Sequence, residues 1–319
     1  MRLVVALLCA VACAVPASAD AQLLLGVRGN ASRFQALTGQ RPGVGHAFIG
    51  WGQGATWGTP FPRLFAALGK VPLVSFTMGR GWPETREAIT PRALALGRGD
   101  GFLVALNRAI AAWGRPLYLR PFPEMNGHWN SYCAYDKSGR RRNAAHSTRM
   151  FRKAFARVYL LAHGGTEAVV NARLRRLGLP PVRAVLATNP APTLKVVWNP
   201  QGFGSPNLRA NAAHAYYPGD AYVDVVGNNL YNRGGTAAWA AAERLYRAHP
   251  NKPFAFGEWG TWGIDDPGFV RRMGRFARTH RRLELLIWFD ARRGSIWDLG
   301  DKPRSRDAYR RFITSLQAP

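Results

Sequence analysis

Leu117-Tyr118-Leu119-Arg120-Pro121-Phe122-Pro123-Glu124-Met125-Asn126-Gly127 opens on a short, largely apolar run and ends on one carboxylate among aromatic, proline and glycine residues. Such a run, apolar on both faces and too short for a buried helix, reads as a parallel strand covered on both sides. Pro253-Phe254-Ala255-Phe256-Gly257-Glu258-Trp259-Gly260 has the same arrangement. Outward from these two, similar runs recur along the chain. Leu23–Val27, Ala47–Trp51, Leu73–Thr77 and Leu117–Arg120 are the first four strand candidates. Lys195–Trp198, Val223–Gly227, Phe254–Phe256 and Leu285–Trp288 are the next four.

Helical patterns fill the intervals. Phe102, Leu106, Ile110 and Trp113 fall on one face and stop at Gly114. Phe151, Phe155, Val158 and Ala162 repeat the spacing up to Gly164-Gly165. Asp266-Pro267 supplies a cap and a first-turn proline, and Tyr309, Phe312, Ile313 and Leu316 mark a closing helix. Gly164–Thr193 reads as an irregular excursion between the fourth and fifth strands. Eight strands alternating with helices predict an α/β fold, a single (β/α)8 TIM barrel. A doubly wound open sheet is the structural alternative, but Gly26-Val27-Arg28-Gly29 lacks the spacing of a nucleotide-binding turn.

Met1-Arg2, an uncharged run from Leu3 to Val15, and Pro16-Ala17-Ser18-Ala19 form a secretory signal pattern, with cleavage expected after Ala19. Residues 1–19 are therefore assigned to a signal peptide and 20–319 to one catalytic barrel domain, exported and with no integral membrane span. Cys13 comes too early, in too poor a context, for a lipid anchor. Cys9 and Cys13 leave with the signal, so Cys133 stands alone and no intrachain disulfide forms. Cys133 reads as a packing residue.

The formal net charge is +26, or +25 once Arg2 is removed. Such a charge can attract acidic polymers, nucleic acid or uronic-acid polysaccharide among them. Arginine outnumbers lysine 38 to 6, however, and the cations are scattered. No nucleic-acid-binding motif accompanies them, and no specific nucleic-acid partner is expected. Metal ligands at recognisable spacing and a nucleophile elbow are missing as well, so no metal and no cofactor are expected. Asp265-Asp266 read as turn and cap residues.

Reactive groups of a barrel enzyme lie at the C-terminal ends of its strands. With 18 acidic residues in the chain, a glutamate closing each of strands four and seven stands out from ordinary surface charge. Two carboxylates facing each other across the mouth suit acetal hydrolysis: one protonates the leaving oxygen while the other attacks or activates water. The competing reading for each glutamate is a buried ion pair with an arginine such as Arg120.

Arg120-Pro121-Phe122-Pro123-Glu124-Met125-Asn126-Gly127 resembles the acid/base motif of glycoside hydrolase family 26. Trp198-Asn199-Pro200, the Tyr216–Gly227 segment with Tyr231, and Gly257-Glu258-Trp259-Gly260 resemble further motifs of that family. The resemblance implies a retaining endo-β-glycanase with Glu124 as acid/base and Glu258 as nucleophile. It makes β-1,4-mannan the first substrate, with other β-glucans or xylans behind it. One position departs: the family commonly has histidine before the acid/base glutamate, and here it is Pro123, which fixes φ and lacks an N–H. That departure sustains an alternative, a polysaccharide-binding or exopolysaccharide-assembly protein with little or no turnover.

Arg120 is a candidate for keeping Glu258 ionised and for contacting the sugar, and Tyr231 for hydrogen-bonding Glu258. Asn126, Trp129, Trp198, Trp259 and Trp288 complete the predicted substrate-binding set. Trp288, at the end of strand eight, is the favoured sugar platform, whereas for Trp198 packing and sugar contact weigh equally. The expected partner is a polysaccharide or oligosaccharide, bound by a monomer.

Overall fold

A computed structural model describes residues 22–81 and 86–317. The expected signal segment 1–19, with Cys9, Cys13 and the Ala19 cleavage site, lies outside the described residues. Eight strands form the centre: β1 (Leu24–Arg28), β2 (Val44–Ile49), β3 (Val71–Phe76), β4 (Leu117–Pro121), β5 (Leu194–Trp198), β6 (Val225–Arg233), β7 (Phe254–Trp262) and β8 (Leu283–Phe289). Each pairs in parallel with the next, and β8 pairs with β1, so the sheet closes into a single barrel.

Around it lie α1 (Ala31–Thr38), α2 (Phe61–Ala67), α3 (Pro91–Ala95), α4 (Asp100–Trp113), α5 (Thr148–His163), α6 (Glu167–Arg176), α7 (Trp239–Ala248), α8 (Pro267–Thr279) and α9 (Pro303–Phe312). Gly114 and Gly164 end α4 and α5 at positive φ, the conformation glycine adopts without a Cβ penalty. Asp266 caps α8, its carboxylate accepting from the Gly268 and Phe269 amides at 2.8 and 3.2 Å. The closing helix ends at Phe312 and continues as a single 3-10 turn, Thr314–Leu316. No described helix is long and apolar enough to cross a membrane.

All eight strand candidates are strands. The differences lie at their ends, above all in β6 and β7, which run on to Arg233 and Trp262. Polar residues interrupt the apolar pattern there, among them the buried Asn228, Asn229, Asn232, Glu258 and Thr261. The excursion between β4 and β5 is also more regular than expected. Thr166 caps α6 by accepting from Val169 N at 3.4 Å, and Val170 and Leu174 bury its inner face. Two apolar residues four apart among arginines gave too little amphipathic signal to announce it.

Burial divides the molecule into two layers. The larger core fills the space between strands and helices, while Val44, Leu73, Tyr118, Val197, Val225, Ala255, Leu285 and Ile287 plug the lower barrel. Above this plug the inward positions turn polar, with His46, Ser75, Arg120, Asn199, Asn229 and Glu258 all buried. Cys133 packs against Asn211 and Tyr216, each 3.6 Å from its sulfur, and burial raises its thiol pKa, which keeps it unreactive.

Candidate active site

Glu258 lies within β7, beside a break in register: Asn228 pairs with Phe256 but Asn229 pairs with Glu258, leaving Gly257 as the extra residue. The resulting bulge turns Asn229 and Glu258 together toward the axis. Position 257 must be glycine for a second reason. A Cβ there would collide with the Arg120 guanidinium and the Asn199 side-chain oxygen.

Arg120 rises from β4 and is fully buried. Its Nε donates to Ser75 Oγ at 2.7 Å, Nη1 to Asn229 Oδ1 at 3.1 Å, and Nη2 to Glu258 Oε1 at 2.5 Å. Enclosed behind Glu258, it has no open face for a sugar. The predicted substrate contact at Arg120 is therefore corrected to a positioning role. Tyr231 donates its hydroxyl to Glu258 Oε2 at 2.6 Å, and burial together with the Glu258 charge raises the phenol pKa, so the proton stays in place. Ser75 also meets His46 Nε2 at 2.8 Å. Burial, then the charges of Arg120 and Arg28, push the His46 pKa well down, so that ring stays neutral.

Glu124 stands on the turn after β4. Two non-glycine residues there have positive φ, Phe122 at 51° and Glu124 at 57°, with Pro123 between them. Such conformations persist only where the surroundings enforce them, and they concentrate at functional sites. Here Glu124 N donates to Asn199 O at 2.7 Å, Tyr132 OH donates to Pro123 O at 2.7 Å, and Asn130 Nδ2 donates to Glu124 O at 2.9 Å. The carboxyl group itself accepts from Asn229 Nδ2 at 2.7 Å, from Trp129 Nε1 at 2.9 Å and from Gln201 Nε2. Those donors favour the ionised form, but burial and the neighbouring Glu258 charge outweigh them. The pKa of Glu124 is raised to about 7.

Asn229 thus joins the two carboxylates through one nitrogen, 2.7 Å from Glu124 Oε1 and 2.9 Å from Glu258 Oε1. The two oxygens can lie no further apart than the sum of those legs, 5.6 Å. Asn229 and Gln201 were missed by the sequence reading. Asn229 carries one usable signal, an amide at an inward position of a strand that is otherwise apolar. Gln201 carries none beyond following Trp198-Asn199-Pro200.

The predicted aromatic set divides. Trp129 is half exposed beside Glu124, as a sugar contact requires. Trp198, Trp259 and Trp288 are fully buried, and their assignment as sugar contacts is corrected. Strand parity is the cause: Val197, Glu258 and Ile287 point into the barrel, so the next residue on each strand points out. Trp198 packs edge-on to Tyr217 at 4.8 Å, while Trp259 and Trp288 meet edge-on at 4.6 Å and both pack on Tyr309 of α9. Asn126 is buried too. Its side chain donates to Gln201 O at 3.0 Å and accepts from Gln201 N at 2.9 Å, so it orients Gln201 and has no free group for substrate. The aromatic wall of the mouth comes from other residues. Trp297 sits 4.8 Å from Tyr231, 4.3 Å from Trp262 and 5.1 Å from Phe289, ring to ring.

No protein-family model matches the chain. Among curated proteins it is similar to Endoglucanase H of Acetivibrio thermocellus, at 23% identity over 293 residues covering 88% of this chain. The chain spans only 28% of that relative's length. Among solved structures it is similar to a family 26 β-mannanase from Bacteroides ovatus, at TM-score 0.57 and 18% identity, covering 93% of this chain and 87% of the other. GH26A from Muricauda sp. gives TM-score 0.57 and 17% identity over 92% and 91% of the two chains. The chain therefore shares its barrel with glycoside hydrolase family 26, the family its motifs resemble.

Proposed function

We propose that the protein is a retaining endo-β-glycanase with Glu124 as acid/base and Glu258 as nucleophile. The observation that carries this reading is the Asn229 bridge. It holds the nearest oxygens of the pair within 5.6 Å, against ~5–5.5 Å for carboxyl pairs in retaining glycosidases and ~6.5–9.5 Å in inverting ones. So close a pair leaves no room for both the sugar and an attacking water, whereas an anomeric carbon alone fits within reach of Glu258.

The charges follow the same sequence of events. With its pKa at about 7, Glu124 is protonated in mildly acidic and neutral solution and can give its proton to the glycosidic oxygen. Glu258, held by Arg120, Asn229 and Tyr231, attacks the anomeric carbon and forms a glycosyl ester. That ester removes the Glu258 charge, one of the two causes raising the Glu124 pKa. Glu124 then stays ionised and takes a proton from the water that releases the sugar. One pair of residues serves both half-reactions because the charge on Glu258 sets the proton affinity of Glu124.

β-1,4-Mannan is the first substrate, supported by the mannanase relatives that share the barrel, with mixed-linkage glucan and xylan next. The reading includes export of a monomeric catalytic domain, residues 20–319, after removal of 1–19. Pro123 favours the second reading, a glycan-binding or assembly protein, since its position supplies no side-chain donor beside the sugar. Reducing-sugar release from mannan, mixed-linkage glucan and xylan separates the two. Turnover abolished by Glu258→Ala, with the β-anomer appearing first by proton NMR, supports the enzyme. Wild type and Glu258→Ala behaving alike on every polymer refutes it.

A further inference from the structure

Beyond Glu258, along the ends of β6, β7, β8 and β1, the charges at the barrel mouth are unbalanced. The carboxylates nearby are already engaged. Asp290 and Asp298 both receive Arg33, Asp265 receives Arg304, and Asp266 caps α8 while accepting from Asn232. Arg28, Arg233 and Arg292 pair with no carboxylate among the described residues.

Arg28 is the most telling of the three. It ends β1 inside the barrel mouth, its guanidinium 5.6 Å from the Phe289 ring centre, and its buried Nε has no hydrogen-bond partner. The residue as a whole is only partly buried, so its guanidinium is open to an arriving anion, which planar paired hydrogen bonds suit it to hold. Arg28 lines a cavity of about 580 Å³ with Arg292, Ser295, Ile296 and Trp297. Trp297 connects this cavity to the chemistry, because its ring touches Tyr231, whose hydroxyl holds Glu258. On the other side Trp297 meets Trp262, and Arg233 lies 5.2 Å above that ring. Unpaired arginines thus flank a continuous aromatic surface that starts one ring from the proposed nucleophile.

We propose that this side of the barrel mouth is a subsite for a carboxylate-bearing glycan, with Arg28 and Arg292 pairing to a uronate or an acidic substituent while Trp297 and Trp262 stack on the sugar rings. The inference rests on the glycanase reading above and names the substrate class within it. Sugar rings offer C–H faces to the aromatics, and planar guanidinium groups match carboxylates with paired hydrogen bonds. A neutral glycan satisfies the rings and leaves the arginines without counter-charge.

The test uses oligomers of konjac glucomannan and the same oligomers with C6 hydroxyls oxidised to carboxylates, titrated calorimetrically into the full-length Glu258→Gln protein. The oxidised form is expected to bind at least about tenfold more tightly, as one added charge-assisted pair allows. Arg28→Gln, or Arg292→Gln on the exposed loop if the first variant misfolds, is expected to remove most of that preference. Arg175→Gln/Arg176→Gln on the distant α6 surface is expected to retain it. Equal affinity for the two oligomers, binding of neither, or equal loss in the α6 variant overturns the proposal; the last outcome assigns the preference to net charge alone. Wild-type turnover of both oligomers is measured in parallel. Hydrolysis without a preference removes only the subsite, whereas a preference that depends on Arg28 with no hydrolysis of either oligomer, of mixed-linkage glucan or of xylan removes the glycanase reading.

Discussion

Glu124→Gln separates the electrostatic cost of the site from its structure. Folding raises the Glu124 pKa from 4.5 to about 7. At ~1.36 kcal/mol per pKa unit, ionising Glu124 in the folded protein costs about 3 kcal/mol more than ionising it in the unfolded chain. The sign follows from where the proton resides. Between pH 4.5 and about 7 the folded protein keeps a proton that the unfolded chain releases, so stability falls as pH rises through this window and levels off above it. Glutamine carries no such charge. It turns an amide toward the Trp129 Nε1 donor or toward Asn229 and Gln201, losing about 1 kcal/mol at every pH. The variant should therefore be slightly less stable than wild type at pH 4 and more stable at pH 8, with the difference moving by about 3 kcal/mol between them. For a chain of about 300 residues that is a relative shift of about 5 °C in Tm. Urea unfolding followed by tryptophan fluorescence at pH 4, 6 and 8 measures it. A difference that stays constant across that range shows that Glu124 is not protonated by its surroundings, and the acid role would lose its basis.

The same proton sets the activity profile. On the proposed substrates kcat/KM should fall about tenfold per pH unit above about 7, as Glu124 ionises. Asn229→Ala removes a hydrogen bond that lowers this pKa, so its basic limb should move to higher pH even as the maximum rate drops; a limb that moves down contradicts the assignment. Trp288→Ala should cost ~3–5 kcal/mol of stability, because it empties the packing against Trp259 and Tyr309. Trp129→Ala should change unfolding by less than about 1 kcal/mol yet lower kcat/KM, and urea melts with initial rates distinguish the two tryptophans. Gly257→Ala drives a methyl group into Arg120 and Asn199, and should cost about 1–3 kcal/mol and most of the activity. Wild-type behaviour of that variant would mean the β7 bulge can relax without disturbing Glu258.

The strands were legible because burial on both faces leaves an uninterrupted apolar run, and each such run ended where the chain became polar for a reason. Glu124 and Glu258 stood out by that contrast. The helix at Glu167–Arg176 did not, because a short helix lying on the surface needs only Val170 and Leu174 for its inner face. Asn229 and Gln201 escaped for a different reason. A single amide has no pattern of its own, and its value comes from what two other chain segments bring to within 3 Å of it.

The tryptophan assignments failed on a point the sequence does contain. Trp198 and Trp288 do lie at strand ends and Trp259 lies in the upper half of β7, but a strand has an inner and an outer face, and adjacent residues take opposite ones. If Glu258 points into the mouth, Trp259 must point toward the helices, and Trp262 returns to the mouth at the fourth position. Applied to β7 alone, that rule exchanges a buried tryptophan for Trp262, which touches Trp297 and lies beside Tyr231. The register break at Gly257 does not weaken this, because it lies before Glu258, and the count from Glu258 onward is regular. The two glutamates therefore do more than mark the chemistry. Once one of them is accepted as facing the axis, parity along its own strand separates the aromatic residues that can meet a sugar from those that hold the barrel to its helices.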